Sequence, residues 1–422
     1  MSGPTADFAR LRAVCTADGP AAMLESLAGA LRDRRQWHAL IDVRLMQARL
    51  ALGLPPTGEP GALAPGARDR LDERSLAACR EAGWPLLEEG QVAAAWMYLR
   101  AAAEPAAVAE RLAALAAATL AAGDGDDEDA QRRLHELVGV ALWEGVDPAL
   151  GIDVVLRTQG TCPAITAFDQ AVARLPGPRQ RTAAARLVAH LHAEVTTSVA
   201  ADLAARGLAA GAAGASLAGL LEAADGLADG SIHCDVSHLL AVLRIARVCD
   251  DEPTLVRAWE LARYACRLPA EVVYPGDAPF TAVGPASRLF YGAQLGHDVD
   301  EAVEFFRTAA AGDDVGPLAA ETLALLLWRI GRPADALRAA LARPRGDAPQ
   351  HDIPRGESLP PGTLPSLVEL AAAAADFEPL RAACLEHGDA ITFAATLVAE
   401  AHQPRHHAAE GPQAAHSAQG PG

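Results

Sequence analysis

The chain has 422 residues, a net charge of −18 and neither lysine nor asparagine. The acidic balance argues against a nucleic-acid footprint. The missing lysine excludes Schiff-base, pyridoxal-anchor, ordinary phosphate-loop and kinase chemistry, and the missing asparagine excludes N-glycosylation.

Hydrophobic residues make up 51% of the chain and aromatics only 4%. Much of the apolar share is alanine, the strongest helix former. No stretch alternates β-branched and polar residues as strands do. The composition therefore predicts an all-α fold.

Along the chain, residues 1–66 form an N-terminal helical segment that ends in a Pro/Gly linker at 53–66. Residues 1–12 lack the apolar run of a signal peptide. Arg32, Arg34 and Arg35 cluster around Asp33 and read as a solvated helix face. A helical block covers 67–122. A central block at 123–269 opens on an acidic linker, whose carboxylates belong at the next helix start, where the dipole favours them. Asp147-Pro148 is a cap followed by a first-turn proline, and Pro178 opens a long helix reaching about Arg206. The Ala/Gly stretch 207–230 holds the longest uncharged run, too short to span a bilayer. Asp235 caps the next helix. A loop at 270–285 follows, then a helical block at 286–401 broken by a Pro-rich loop at 344–365. A polar, His-containing tail at 402–422 is expected to be disordered.

Four stretches share a tight turn followed by alanine, a bulky residue three or four later and further alanine: Gly90 with Ala95, Tyr98 and Ala102; Asp250–Glu252 with Ala258, Leu261 and Ala265; Gly296 with Ala302, Phe305, Phe306 and Ala309; Gly331 with Ala336 and Ala340. Glycine lets the chain reverse between antiparallel helices, and small residues let the helices approach. This pattern resembles the tetratricopeptide-repeat family over about a third of the chain, although the Gly296 turn carries one extra residue and the pairs are not regularly spaced. The resemblance implies an irregular right-handed α-solenoid of antiparallel helix pairs. It also implies a protein-interaction scaffold or adaptor that presents a concave surface to another protein or peptide.

Among candidate chemical groups, the sharpest cluster is His233, Asp235 and His238. An HxDxxH spacing at a helix start suits a divalent transition metal and carries the alternative reading, a metal-dependent enzyme. The simpler reading makes Asp235 the helix cap. His190 and Glu194 share a helix face at i, i+4, and His192 points elsewhere. His135-Glu136 lacks the second histidine of a zinc-protease motif. His297-Asp298 resembles the metal-binding doublet of helical phosphohydrolases, but Asp298 stands where a helix cap belongs. His351-Asp352 lies in a Pro-rich loop. The segment from Gly214 to Gly219 is one residue too long for a nucleophile elbow. Cys162 stands at a helix start, where the dipole lowers a thiol pKa. The 270–285 loop, with Tyr274, Asp277 and Phe280, reads either as a binding loop or as a segment pinned to the helices beneath it. Neither a cofactor, nucleic acid nor a membrane is expected. Seven widely spaced cysteines fit reduced thiols in the cytoplasm.

Overall fold

The computed structural model describes residues 4–58, 63–122, 127–207, 216–223, 231–312, 317–342 and 359–402. Among them there is no strand, and nineteen α-helices follow one another: α1 (Pro4–Asp33), α2 (Trp37–Leu50), α3 (Pro65–Glu88), α4 (Val92–Ala102), α5 (Pro105–Ala122), α6 (Glu128–Val138), α7 (Pro148–Gln159), α8 (Thr161–Ala167), α9 (Gly177–Ala205), α10 (Leu217–Ala223), α11 (Val236–Ile245), α12 (Glu252–Ala265), α13 (Val283–Gln294), α14 (Val299–Ala310), α15 (Pro317–Arg329), α16 (Pro333–Leu341), α17 (Leu367–Ala374), α18 (Glu378–His387) and α19 (Ala390–His402). Gly214 and Ala215, His351 and Asp352, and the tail beyond His402 lie outside the described residues.

The chain folds as two compact units, the first Met1–Arg206 with His233–Cys249, the second Gly207–Ile232 with Asp250–Gly422. The division falls inside the central block at 123–269, because the chain leaves the first unit after α9 and returns for α11. Linker composition carries no trace of that return.

In each unit helices pack mainly on their chain neighbours, and a single reversal recurs. The residue after the helix adopts a left-handed conformation, and the next N–H bonds the carbonyl five positions back. It occurs at Gly90 (φ 78°, Gln91 N to Leu86 O 2.9 Å), Gly296 (φ 86°, His297 N to Gly292 O 2.8 Å) and Gly331 (φ 75°, Arg332 N to Leu327 O 2.8 Å). This Schellman closure satisfies carbonyls that the helix end leaves open. It joins α3 to α4, α13 to α14 and α15 to α16, the pairs expected from the glycines. Arg35 (φ 55°) and Ala375 (φ 53°) make the same turn without glycine. The Asp250–Glu252 turn falls at the unit boundary, and within the second unit α12 pairs with α13.

The alanine stripe does what close packing requires. Ala95, Ala302 and Ala336 are fully buried, as is Phe306, whereas Tyr98 and Phe305 are half-buried and Leu99 fills the place expected of Tyr98. Glycine permits closer approach still. A Cβ at Gly151 of α7 would lie 2.6 Å from Leu142 Cβ in the π-turn Gly139–Trp143.

Side chains also finish helix ends across the packing. Glu136 of α6 accepts the Ala93 amide at the start of α4 (3.0 Å), and Arg80 of α3 donates to the Ala102 carbonyl at its end (2.8 Å). α5 is the one described helix long and apolar enough to cross a membrane. It carries Glu110 and Arg111 mid-helix and buries Val108, Leu112, Ala116 and Thr119, and Arg111 pairs with Glu88 at 2.9 Å.

Candidate functional site

Asp235 is the cap of α11. Its Oδ1 accepts the Ser237 amide (2.8 Å), the Ser237 hydroxyl (2.6 Å) and the His238 amide (3.4 Å). His233 turns away from it and bonds Asp202 of α9 through Nε2, 3.0 Å from Oδ2. His233, Asp235 and His238 therefore do not converge. Among the described residues no three His, Cys, Asp or Glu side chains come together as a metal-ligand set. The physical reason is local: a carboxylate aimed at first-turn amides faces the helix axis, away from a ligand shared with His233.

The cap has a pH signature. The Ser237 hydroxyl, with the amides behind it, holds the Asp235 carboxyl below its ordinary value. A lowered folded-state pKa adds stability above the unfolded carboxyl's range, about pH 4, and that stability fades as pH falls through the folded value. Asp235→Ala is expected to cost about 1 kcal/mol at neutral pH, with the gap from wild type closing in acid. Urea midpoints across the pH series measure it, and a gap independent of pH refutes it.

The loop ahead of α13 turns one aromatic inward and leaves the other outside. Phe280 is fully buried, its ring 5.7 Å from Phe290 and 5.5 Å from Phe306. Gly276 N–H bonds the Thr281 carbonyl at 3.1 Å, closing the loop on itself. Tyr274 (68% exposed) and Asp277 stay at the surface.

His190 and Glu194 share their face, with Nε2 3.8 Å from the carboxylate. Thr161, at the start of α8, bonds the same Nε2 at 3.1 Å, an encounter between helices that sequence spacing cannot show. Cys162 beside it is exposed. His297 stacks on Trp259 (ring centroids 4.5 Å apart, 11° between planes). Asp298 holds the expected N-cap position of α14 but makes no side-chain cap bond: it is left-handed (φ 49°), and its carboxylate binds Arg288 at 2.7 Å. The extra residue in that turn pushes it off the extended geometry an N-cap needs.

A concavity walled by two helices lies elsewhere, in the first unit between α2 and α3. Asp42, Leu45, Met46 and Arg49 of α2 and Leu71 and Ser75 of α3 line a groove of about 260 Å³, with Pro56 and Thr57 as its far wall. The wall is held deliberately. After α2 the chain reverses at Gly53 (φ 69°), and Arg49 clamps it by donating to the Pro55 carbonyl (2.6 Å) and the Thr57 carbonyl (3.2 Å). A larger concavity, about 650 Å³ at Phe8–Ala17, is walled by α1 alone.

Polar groups continue the groove toward α4. His38, one helical turn before Asp42, shares a 2.7 Å hydrogen bond with the Tyr98 hydroxyl. Burial raises the Tyr98 pKa, and the Asp42 carboxylate adds to the effect, so the phenol remains protonated at neutral pH. Asp42 makes no ion pair among the described residues. Asp42 is exposed and lines the groove together with Leu45, Met46, Leu71 and Arg49. Nothing in the sequence pointed to these residues, since they read as ordinary helix faces on either side of a linker.

No protein-family model, curated protein or solved structure matches the chain.

Proposed function

We propose that the chain is a protein-interaction scaffold of the cytoplasm, a tetratricopeptide-like, irregular right-handed α-solenoid whose α2–α3 groove receives a peptide. The observation that carries this reading is the groove itself, apolar along its floor and anionic at Asp42. Its volume is below the range usual for small-molecule sites and fits one aliphatic side chain. A cationic residue next to that side chain would meet Asp42, and the net charge of −18 favours such a partner during encounter. The partner class is therefore a peptide segment with an aliphatic anchor beside arginine or lysine.

A displayed random-peptide library selected on the full chain tests it. The expected winners carry that pairing, and they lose binding at least ~10-fold, about 1.4 kcal/mol, to Met46→Arg, which fills the cleft, and to Asp42→Arg, which reverses its charge. Peptides of other composition, or binding indifferent to both substitutions, would overturn the proposal.

A further inference from the structure

His38 and Asp42 stand one helical turn apart on α2, both exposed, so their side chains are neighbours on one face. Tyr98 of α4 reaches that face. Its hydroxyl lies 2.7 Å from His38 Nδ1, and the two rings are 5.6 Å apart. This is the one hydrogen bond of the Tyr98 hydroxyl among the described residues, and Asp42 makes none there. Burial and the nearby Asp42 carboxylate together keep the phenol's proton in place. The other charged or titratable groups around the ring are few. From α3 comes the Cys79 thiol, which burial keeps protonated. On the turn before α2, Arg34 is exposed and Arg35 is drawn to Glu89 at 3.6 Å. Glu89 also accepts the Trp37 indole N–H at 3.0 Å.

We infer that His38 and Tyr98 regulate the groove, so that its hold on a cationic residue is present at neutral pH and lost in mild acid. The inference rests on the α2–α3 groove as a peptide site. A neutral imidazole has one nitrogen that accepts and one that donates, whereas a charged imidazole only donates. With His38 neutral, Nδ1 accepts the phenol's proton, and Asp42 meets the partner's arginine or lysine. When the exposed ring takes a proton from solvent, Nδ1 carries a hydrogen of its own. The phenol oxygen then accepts that hydrogen, and its O–H turns to the next acceptor in reach, the Asp42 carboxylate. Histidine is the side chain that ordinarily makes such a change of charge between about pH 5 and about pH 8.

Two effects then act in one direction. The phenol occupies a carboxylate oxygen that the partner's cation would use, and the imidazolium one turn away offsets the carboxylate's charge. Tyr98 is the positioning residue of the pair. Without its hydroxyl, a charged His38 would act on Asp42 only as one exposed ion on another, an interaction worth little. With it, the change at the ring is passed on as the reversal of a hydrogen bond.

Calorimetric titration of the full chain with a histidine-free peptide bearing leucine beside arginine tests this, at about pH 7.5 and about pH 5.5, where carboxylates stay ionised. The expected result is binding ~5-fold weaker at the lower pH. His38→Gln, which cannot charge, and Tyr98→Phe, which cuts the link, should each hold the ratio near one. Equal affinities in the wild type overturn the inference and leave the groove reading standing. So does a loss in acid that survives both variants. No binding at either pH defeats the groove reading and this inference with it. A second measurement needs no peptide. In nuclear magnetic resonance of the histidine-labelled chain, the signal missing from His38→Gln identifies the ring. Its titration should fall about half a pH unit lower in Asp42→Asn and in Tyr98→Phe than in the wild type, and a titration unmoved by either substitution overturns the inference.

Discussion

Phe280→Ala is expected to destabilise the second unit by about 3–5 kcal/mol, the range for emptying a buried aromatic site. The ring touches Phe290 of α13 and Phe306 of α14, and those two meet each other at 5.8 Å. Removing it empties one corner of a three-ring cluster. It also unpins the loop, because Phe280 is the loop's large buried side chain. Tyr274→Ala, six residues earlier and exposed, should stay within about 0.5 kcal/mol of wild type. Urea denaturation gives the magnitude. Hydrogen exchange read by mass spectrometry places it, with protection lost in α13 and α14 and kept in the first unit. A loss under about 1 kcal/mol for Phe280→Ala would show that the loop is not held by this ring.

The second large effect contrasts two glycines. Gly151→Ala should cost about 1–3 kcal/mol through overpacking. The new methyl would lie 2.6 Å from Leu142 Cβ and 3.1 Å from its Cα and N, so backbone must move, not only a side-chain tip. Gly29→Ala in α1 should instead stabilise by about 0.5–1 kcal/mol. Its Cβ meets nothing within 4 Å, and alanine relieves the entropic cost of glycine in a helix. Thermal unfolding of both variants measures the pair. Equal signs would mean that the α7 contact with the 139–143 turn is looser than 2.6 Å implies.

Much of the fold was legible, because helix ends carry their own chemistry. Asp147, Asp235 and the acidic run before α6 each cap the helix they precede, and three glycines mark three reversals. What escaped the sequence depends on tertiary placement. Arg35 and Ala375 take left-handed turns that no residue type announces. Asp298 stands at its expected cap position but turns its carboxylate to Arg288, because one extra residue changes the turn's geometry. The π-turns at Gly139–Trp143 and Phe168–Val172 are local widenings with no sequence signature. The groove was the least visible feature. Leu45, Met46, Leu71 and Ser75 acquire meaning only when Arg49 folds the linker over them, and an arginine at a helix end is ordinarily read as a favourable charge near the dipole. The HxDxxH spacing is a case of the opposite kind. A spacing can list three ligands, but one hydrogen bond, from His233 to Asp202, is enough to take a member away.

That same hydrogen bond bears on the order in which the protein is made. Asp202 lies at the end of α9, and His233 is where the chain re-enters the first unit. A ribosome adding about 5–20 residues per second delivers Cys249 about 2–9 s after Arg206. During that interval α9 lacks α11 and the 246–248 turn, both of which pack on it. The first unit therefore cannot close as an N-terminal piece on its own, and a nascent chain halted near Arg206 holds an unfinished core that chaperones can bind. Because Asp202 and His233 meet at 3.0 Å, the excursion between them starts and ends in one place. Between those two points the chain lends α10 to the second unit, where Leu217, Leu220 and Leu221 are buried and Glu222 pairs with Arg263 at 3.1 Å.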